Sequence, residues 1–213
     1  LVRSRGLGDV YKRQALAWVN KGAVLGEIGE SQAALECYDT SLSIKITAEA
    51  LTSKGVDLAR IGKSQEALDC HQKAIKLNPT YPLAWYNKGQ ILRKQGDLQG
   101  ALSCYTEALK FAPYHPTLLA TLADTLQQLE KHSDALTYAW KAAELDPRSP
   151  GVCGLLGSIF VSLHEYKDAI EWLDRALGLD DNSIRTYGNL ASAWSGLGKH
   201  ERAIECLEQA LKI

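Results

Sequence analysis

The sequence predicts an all-α protein built from stacked helical hairpins, and three observations carry that reading. A unit of 33 or 34 residues recurs, starting at Ala15, Ala48, Pro82, Pro116, Pro150 and Ile184. Small residues return at fixed columns inside the unit. All six prolines stand at unit junctions. A constant period in this range is the signature of a repeat architecture, in which each unit buries its apolar face against its neighbours.

The units run 15–47, 48–81, 82–115, 116–149, 150–183 and 184–213, the last one short. Each reads as helix A, a turn and helix B. Column eight is Gly22, Gly55, Gly89, Ala123, Gly157 and Ala191. Column twenty is alanine throughout, from Ala34 to Ala203, and column twenty-seven is Ser41, Ala74, Ala108, Ala142, Ala176 and Ala210. Small side chains let two helix axes approach closely. Larger residues fill the same face of helix A: Trp18, Leu51, Trp85, Leu119 and Tyr187 at column four, and Leu25, Leu58, Leu92, Leu126, Phe160 and Trp194 at column eleven. Pro79, Pro113 and Pro147 stop one helix. Pro82, Pro116 and Pro150 open the next, where a missing N–H costs nothing. Gly29, Gly62, Gly96 and Gly198 mark the inner turn.

These columns resemble the tetratricopeptide repeat, a helix-turn-helix family. The third unit matches best, through Trp85, Gly89, Leu92, Gly96, Ala101, Tyr105, Ala108 and Pro113. The resemblance covers residues 15–213 and implies a right-handed α-solenoid with helix A lining a concave, peptide-binding side. Departures are local. Lys21, Lys54 and Lys88 replace a leucine at column seven, Glu130 and His164 replace the turn glycine, and the first junction is one residue short. The lysines are expected to snorkel towards acids.

Residues 1–14 lack this periodicity and are expected to be a non-native, disordered leader. Ser4 to Gln14, SRGLGDVYKRQ, resembles an in-frame translation of a transposase-type sequencing-library adapter. The chain has no methionine and ends inside a helical pattern at Ile213, so both ends read as cut.

The net charge is −1, of which the leader contributes +3 through Arg3, Arg5, Lys12 and Arg13 against Asp9, leaving about −4. Such a balance argues against nucleic-acid binding. The longest apolar run, Gly151 to Leu163, is too short to cross a bilayer, so no membrane insertion is expected. His71, His115, His132, His164 and His200 are scattered, and no catalytic or phosphate-binding motif occurs. The Asp180–Asp181 pair stands at a junction, where capping or solvation explains it. No enzyme activity, cofactor or metal is expected. Cys37, Cys70, Cys104 and Cys206 share column twenty-three, in helices expected roughly 9–10 Å apart, too far for a disulfide or a shared zinc. They read as small hydrophobes, and free thiols fit a reducing, cytoplasmic location.

The expected function is therefore a non-catalytic protein-interaction scaffold with a peptide in its groove. The alternative is the recruitment arm of a larger enzyme, a glycosyltransferase or kinase. The groove stripe is columns two, five, nine, twelve and thirteen, with six at its edge. It carries Glu49, Thr52, Arg60, Tyr86, Gln90, Arg93 and Lys94 in units two and three, and Asp124 in unit four. In units five and six it is small and uncharged, with Gly154, Ser158 and Ser192 among its members and Arg185 the one charge. The cations suggest an acidic extended partner, although charges also solvate any exposed face. Column six offers Asn20, Asn87 and Asn189, whose amides suit a peptide backbone, although asparagine is also habitual at this column in the family. The binding residues expected are Asn20, Arg60, Tyr86, Asn87, Gln90, Arg93, Lys94, Asp124, Ser158 and Asn189. No three consecutive units supply the family's clamp for chaperone tails. The aliphatic side of the last helix, Ile204, Leu207, Leu211 and Ile213, is expected to self-associate.

Overall fold

The computed structural model describes residues 2–180 and 182–213, with side chains described from residue 10 onward. The side chains of Arg3, Arg5 and Asp9 and the whole of Asp181 lie outside the described residues. Among those described there are twelve helices and no strand. They are α1 (Val2–Glu27), α2 (Ser31–Ile44), α3 (Ala48–Arg60), α4 (Ser64–Leu77), α5 (Pro82–Lys94), α6 (Leu98–Phe111), α7 (Pro116–Gln128), α8 (His132–Leu145), α9 (Pro150–Ser162), α10 (Tyr166–Leu179), α11 (Ile184–Gly196) and α12 (His200–Ala210). Odd-numbered helices are the A helices and even-numbered ones the B helices. Two compact bodies result, Leu1–Ala112 with α1–α6 and Pro113–Ile213 with α7–α12.

Local chemistry sets the boundaries. Pro82, Pro116 and Pro150 each open a helix A. Thr47, which caps the short first junction, accepts a hydrogen bond from the Ala50 N–H, and Asp97, Ser149 and Ser183 cap their helices in the same way. At the last junction the Asp180 carboxylate accepts from the Asn182 N–H.

The six inner turns are copies of one another. In each, the N–H of column sixteen donates to the carbonyl of column eleven at 2.9 Å, from Glu30 to Leu25 through Lys199 to Trp194. This closure needs a left-handed residue, and Gly29, Gly62, Gly96 and Gly198 supply it with φ between 73° and 89°. Glu130 and His164 take the same conformation at φ 59° and 61°, so the turn survives the loss of its glycine at the cost of backbone strain.

The leader departs from expectation. Its backbone is helical and continuous with the first helix A, because no proline interrupts it and two glycines do not suffice to break the ladder. Among the described side chains, packing nonetheless begins where the repeat begins. Val10 to Gln14 are exposed, while Ala15 is buried and its carbonyl accepts from the Ser41 hydroxyl at 2.9 Å.

Within each body the core follows the columns. Ala34, Ala67, Ala101, Ala135 and Ala169 are fully buried at column twenty. Column eight meets column twenty-four inside the same hairpin. A Cβ added at Gly22, Gly55 or Gly89 would stand 2.6 Å from the ring of Tyr38, His71 or Tyr105 respectively. In unit four, where column eight is Ala123, column twenty-four shrinks to Ala139, and both are fully buried.

The lysine column snorkels, and two of its members find the same register. Lys54 pairs with Asp39, and Lys88 Nζ donates to Gln72 Oε1 at 2.6 Å. Both partners sit at column twenty-five of the preceding helix B. Lys21 instead lies over the Trp18 ring.

Candidate functional site

Between α3 and α5, with α4 beneath, the first body contains an open cavity of about 280 Å³. Val56, Ala59 and Arg60 come from α3, Ser64 and His71 from α4, and Asn87, Gln90, Ile91 and Lys94 from α5. Columns six, nine, twelve and thirteen of two successive A helices thus face one space, because residues three and four apart share a helical face.

Four of the ten expected binding residues meet here: Arg60, Asn87, Gln90 and Lys94. Tyr86 adjoins them. Its hydroxyl accepts from Gln90 Nε2 at 2.7 Å, and Gln90 Oε1 in turn accepts from the Tyr105 hydroxyl at 3.0 Å. The Gln90 amide is therefore held in one orientation.

Two of the expected groove cations are engaged inside the fold. Arg60 Nη1 donates to the buried carboxylate of Asp57 at 2.5 Å and to the Gly26 carbonyl. Asp57 also accepts from the Tyr38 hydroxyl at 3.0 Å and the Ser31 hydroxyl at 3.4 Å. Arg93 is half-buried and hydrogen-bonds the Tyr105 side chain. Lys94 is exposed at the cavity rim. The expected stripe is also narrower than its columns suggest. Thr52 and Gly154, at column five, are buried rather than lining an open groove.

The remaining residues lie elsewhere. Asn20 is exposed on α1. Asp124, Ser158 and Asn189 belong to the second body. There the Gln127 amide donates to the Ser158 and Ser162 hydroxyls at 2.6 and 3.2 Å, and Gln128 donates to Asp124. Ser158 is thus tied to its neighbouring unit.

His71 was not among the expected binding residues, yet it floors the cavity. It is fully buried, and neither ring nitrogen has a hydrogen-bond partner. Burial pulls its pKa down to about 4, so the ring is neutral at physiological pH. The signal was present in column twenty-four, which reads Tyr38, His71, Tyr105. Burial raises the Tyr38 and Tyr105 hydroxyls far above the usual phenol range, the Asp57 contact adding to the effect at Tyr38.

Cys37, Cys70 and Cys104 are buried and free, and burial pushes the Cys70 and Cys104 thiols up. Among the described residues no cluster of His, Cys, Asp or Glu is arranged to hold a metal ion. Among the described residues no helix is long and apolar enough to cross a membrane.

The tetratricopeptide repeat matches residues 15–45, 48–81, 82–115, 121–184 and 184–213. The chain belongs to the tetratricopeptide-repeat family. No curated protein sequence matches it. The tetratricopeptide-repeat fold is shared with several solved structures. PilF of Pseudomonas aeruginosa aligns with a TM-score of 0.84 at 18% identity, over 95% of this chain and 92% of its own. YrrB, described as a TPR protein with an unusual peptide-binding site, aligns at 0.72 and 19% identity over 84% and 92%. MamA of Desulfovibrio magneticus RS-1 aligns at 0.71 and 21% identity over 78% and 93%. At these identities the likeness concerns the fold. Lysine stands at column seven in the first three repeats, and the second alone of these has histidine at column twenty-four.

Proposed function

We propose that the protein is a non-catalytic protein-interaction scaffold that holds an extended, acidic peptide segment between α3 and α5. The convergence of Asn87, Gln90, Arg60 and Lys94 on one cavity carries this reading. The Asn87 amide offers a donor and an acceptor to a peptide backbone. The anchored Gln90 presents a preorganised amide, which lowers the ordering cost of binding. Lys94 and the outer part of Arg60 favour an acidic partner and speed its encounter. YrrB, with its peptide-binding site, is a fold-level precedent. The cavity lies within the first body, where Asn20 on α1 is a further proposed contact; in the second body, taken by itself, Asp124, Ser158 and Asn189 are the proposed contacts. A recruitment arm of a larger enzyme would use the same surface.

The test is fluorescence anisotropy with fluorescein-labelled octaglutamate and octaglutamine peptides. Octaglutamate is expected to bind more tightly. Lys94→Glu and Asn87→Ala are each expected to weaken it about fivefold, the loss of a single rim charge or hydrogen bond. Equal binding of the two peptides would overturn the acidic preference. Arg60 and Arg93 are poor choices for charge reversal because their internal partners would be stranded.

The apolar side of α12 supports a second contact with another copy of the chain. Ile204, Leu207, Leu211 and Ile213 are each at least 49% exposed. Leu207→Lys with Leu211→Lys is expected to lower concentration-dependent association in sedimentation equilibrium. An unchanged association constant would show that this face is not used.

A further inference from the structure

The first three repeats share one device with a single exception. Tyr38 rests on Gly22 and extends its hydroxyl to Asp57, and Tyr105 rests on Gly89 and extends its hydroxyl to Gln90. His71 rests on Gly55 at the same distance, but imidazole is shorter than phenol and lacks the hydroxyl. The two flanking rings end in a hydrogen bond. This one ends beneath the cavity floor, with both nitrogens unbonded and closed off from solvent, so a ligand in the cavity reaches them only with a small shift of the ring or of the wall above it. An orphaned buried polar group is costly, and native proteins rarely tolerate one without a compensating role.

The cavity walls say what would satisfy it. Val56, Ala59 and Ile91 supply apolar sides, and Asn87 and Gln90 supply amides. The charged groups that line it are Arg60 on α3 and Lys94 on α5; α4 adds only Ser64 and His71. The carboxylate on α3, Asp57, is turned away to Tyr38, Ser31 and Arg60. With cations at the rim and no acid in the lining, the missing partner is an anion. A volume of about 280 Å³ accommodates one acidic side chain with its methylenes against the apolar walls.

We propose that this cavity is an anchor subsite for one glutamate or aspartate side chain of the bound peptide, whose carboxylate accepts a hydrogen bond from the His71 imidazole. The inference rests on the reading of the α3–α5 groove as the site of an acidic peptide, and adds to it a defined pocket and a proton linkage. In the free protein, burial keeps His71 neutral. A carboxylate brought beside the ring favours imidazolium, so the complex takes up a proton that the free protein does not hold. Affinity rises as pH falls from 7.5 to 5.5, a range in which glutamate side chains stay ionised.

Fluorescein-labelled octaglutamate is titrated at pH 7.5 and 5.5 into the full chain, His71→Tyr and His71→Gln. Tyrosine restores the residue of the flanking repeats and removes the imidazole, while glutamine keeps a donor but cannot titrate. For the unmodified chain the expected result is an affinity about tenfold higher at pH 5.5, one pKa unit's worth of linkage. The His71 ring proton signal in NMR is expected to titrate at higher pH with peptide than without. His71→Tyr is expected to weaken binding at pH 5.5 by tenfold or more, and His71→Gln to bind with a flat pH profile. Should all three proteins bind octaglutamate equally, with one shared pH profile, the subsite is refuted while the groove reading stands. Should none bind it at either pH, the acidic-groove reading itself falls and takes the subsite with it.

Discussion

Tyr105 lies so close to Gly89 that a methyl group added at the glycine would stand 2.6 Å from the ring carbon Cε1. Real Cβ atoms do not approach that near, and the tyrosine cannot retreat because its hydroxyl is bonded to Gln90 at 3.0 Å. The close crossing of α5 and α6 therefore depends on hydrogen at column eight. Gly89→Ala is expected to destabilise the protein by about 1–3 kcal/mol, the usual cost of overpacking a filled site. Urea unfolding measures it, and a variant as stable as the parent would show that the ring can move aside.

Asp57 is the busiest buried polar group of the first body. Its side chain is 3% exposed and serves Tyr38, Ser31 and Arg60 at once. Removing it leaves a buried phenol and an arginine without their acceptor. Asp57→Ala is expected to cost about 3 kcal/mol, the low end for breaking a buried pair because Arg60 keeps partial access to water. Asp57→Ala with Tyr38→Phe is expected to recover part of that loss in denaturant melts. Additive losses in the double variant would argue against a shared network.

His71 makes the fold sensitive to acid even without a ligand. Its pKa is about 4 in the folded protein against an ordinary value of about 6.5. Between those values the unfolded chain binds the proton first, so stability is intact above about pH 6.5 and declines as pH falls towards 4. The full difference corresponds to about 3 kcal/mol. Subtracting the pH dependence of His71→Tyr isolates this contribution, and parallel curves for the two proteins would contradict it.

Deleting residues 1–14 is expected to leave the unfolding free energy within about 0.5 kcal/mol, the range of an exposed surface change. The helix of α1 runs on from Val2, but Val10 and Tyr11 are 60% and 54% exposed, and among the described side chains burial starts at Ala15. Differential scanning calorimetry of the shortened chain measures it. A clear fall in Tm would mean that the extension packs on the repeats.

The sequence alone determined the repeat register, and with it the helices, turns, caps and buried columns. Proline at a helix start, a left-handed residue closing a turn and small residues at a crossing act over a few positions, so their consequences are written locally. Even Lys54 and Lys88 could be read, because a long aliphatic stem near a core has to carry its charge outward. What only the tertiary structure decided was how each polar side chain was used. Arg60 and Arg93 sit in groove columns, yet Asp57 and Tyr105 come within reach of them and claim their charge. Thr52 belongs to a groove column and is buried all the same. His71 looked like one of several scattered histidines until packing set it on Gly55, too short to reach a partner, with a cavity above it. Partner choice depends on distances of a few ångströms between columns of different helices, and a one-dimensional period carries no record of those distances.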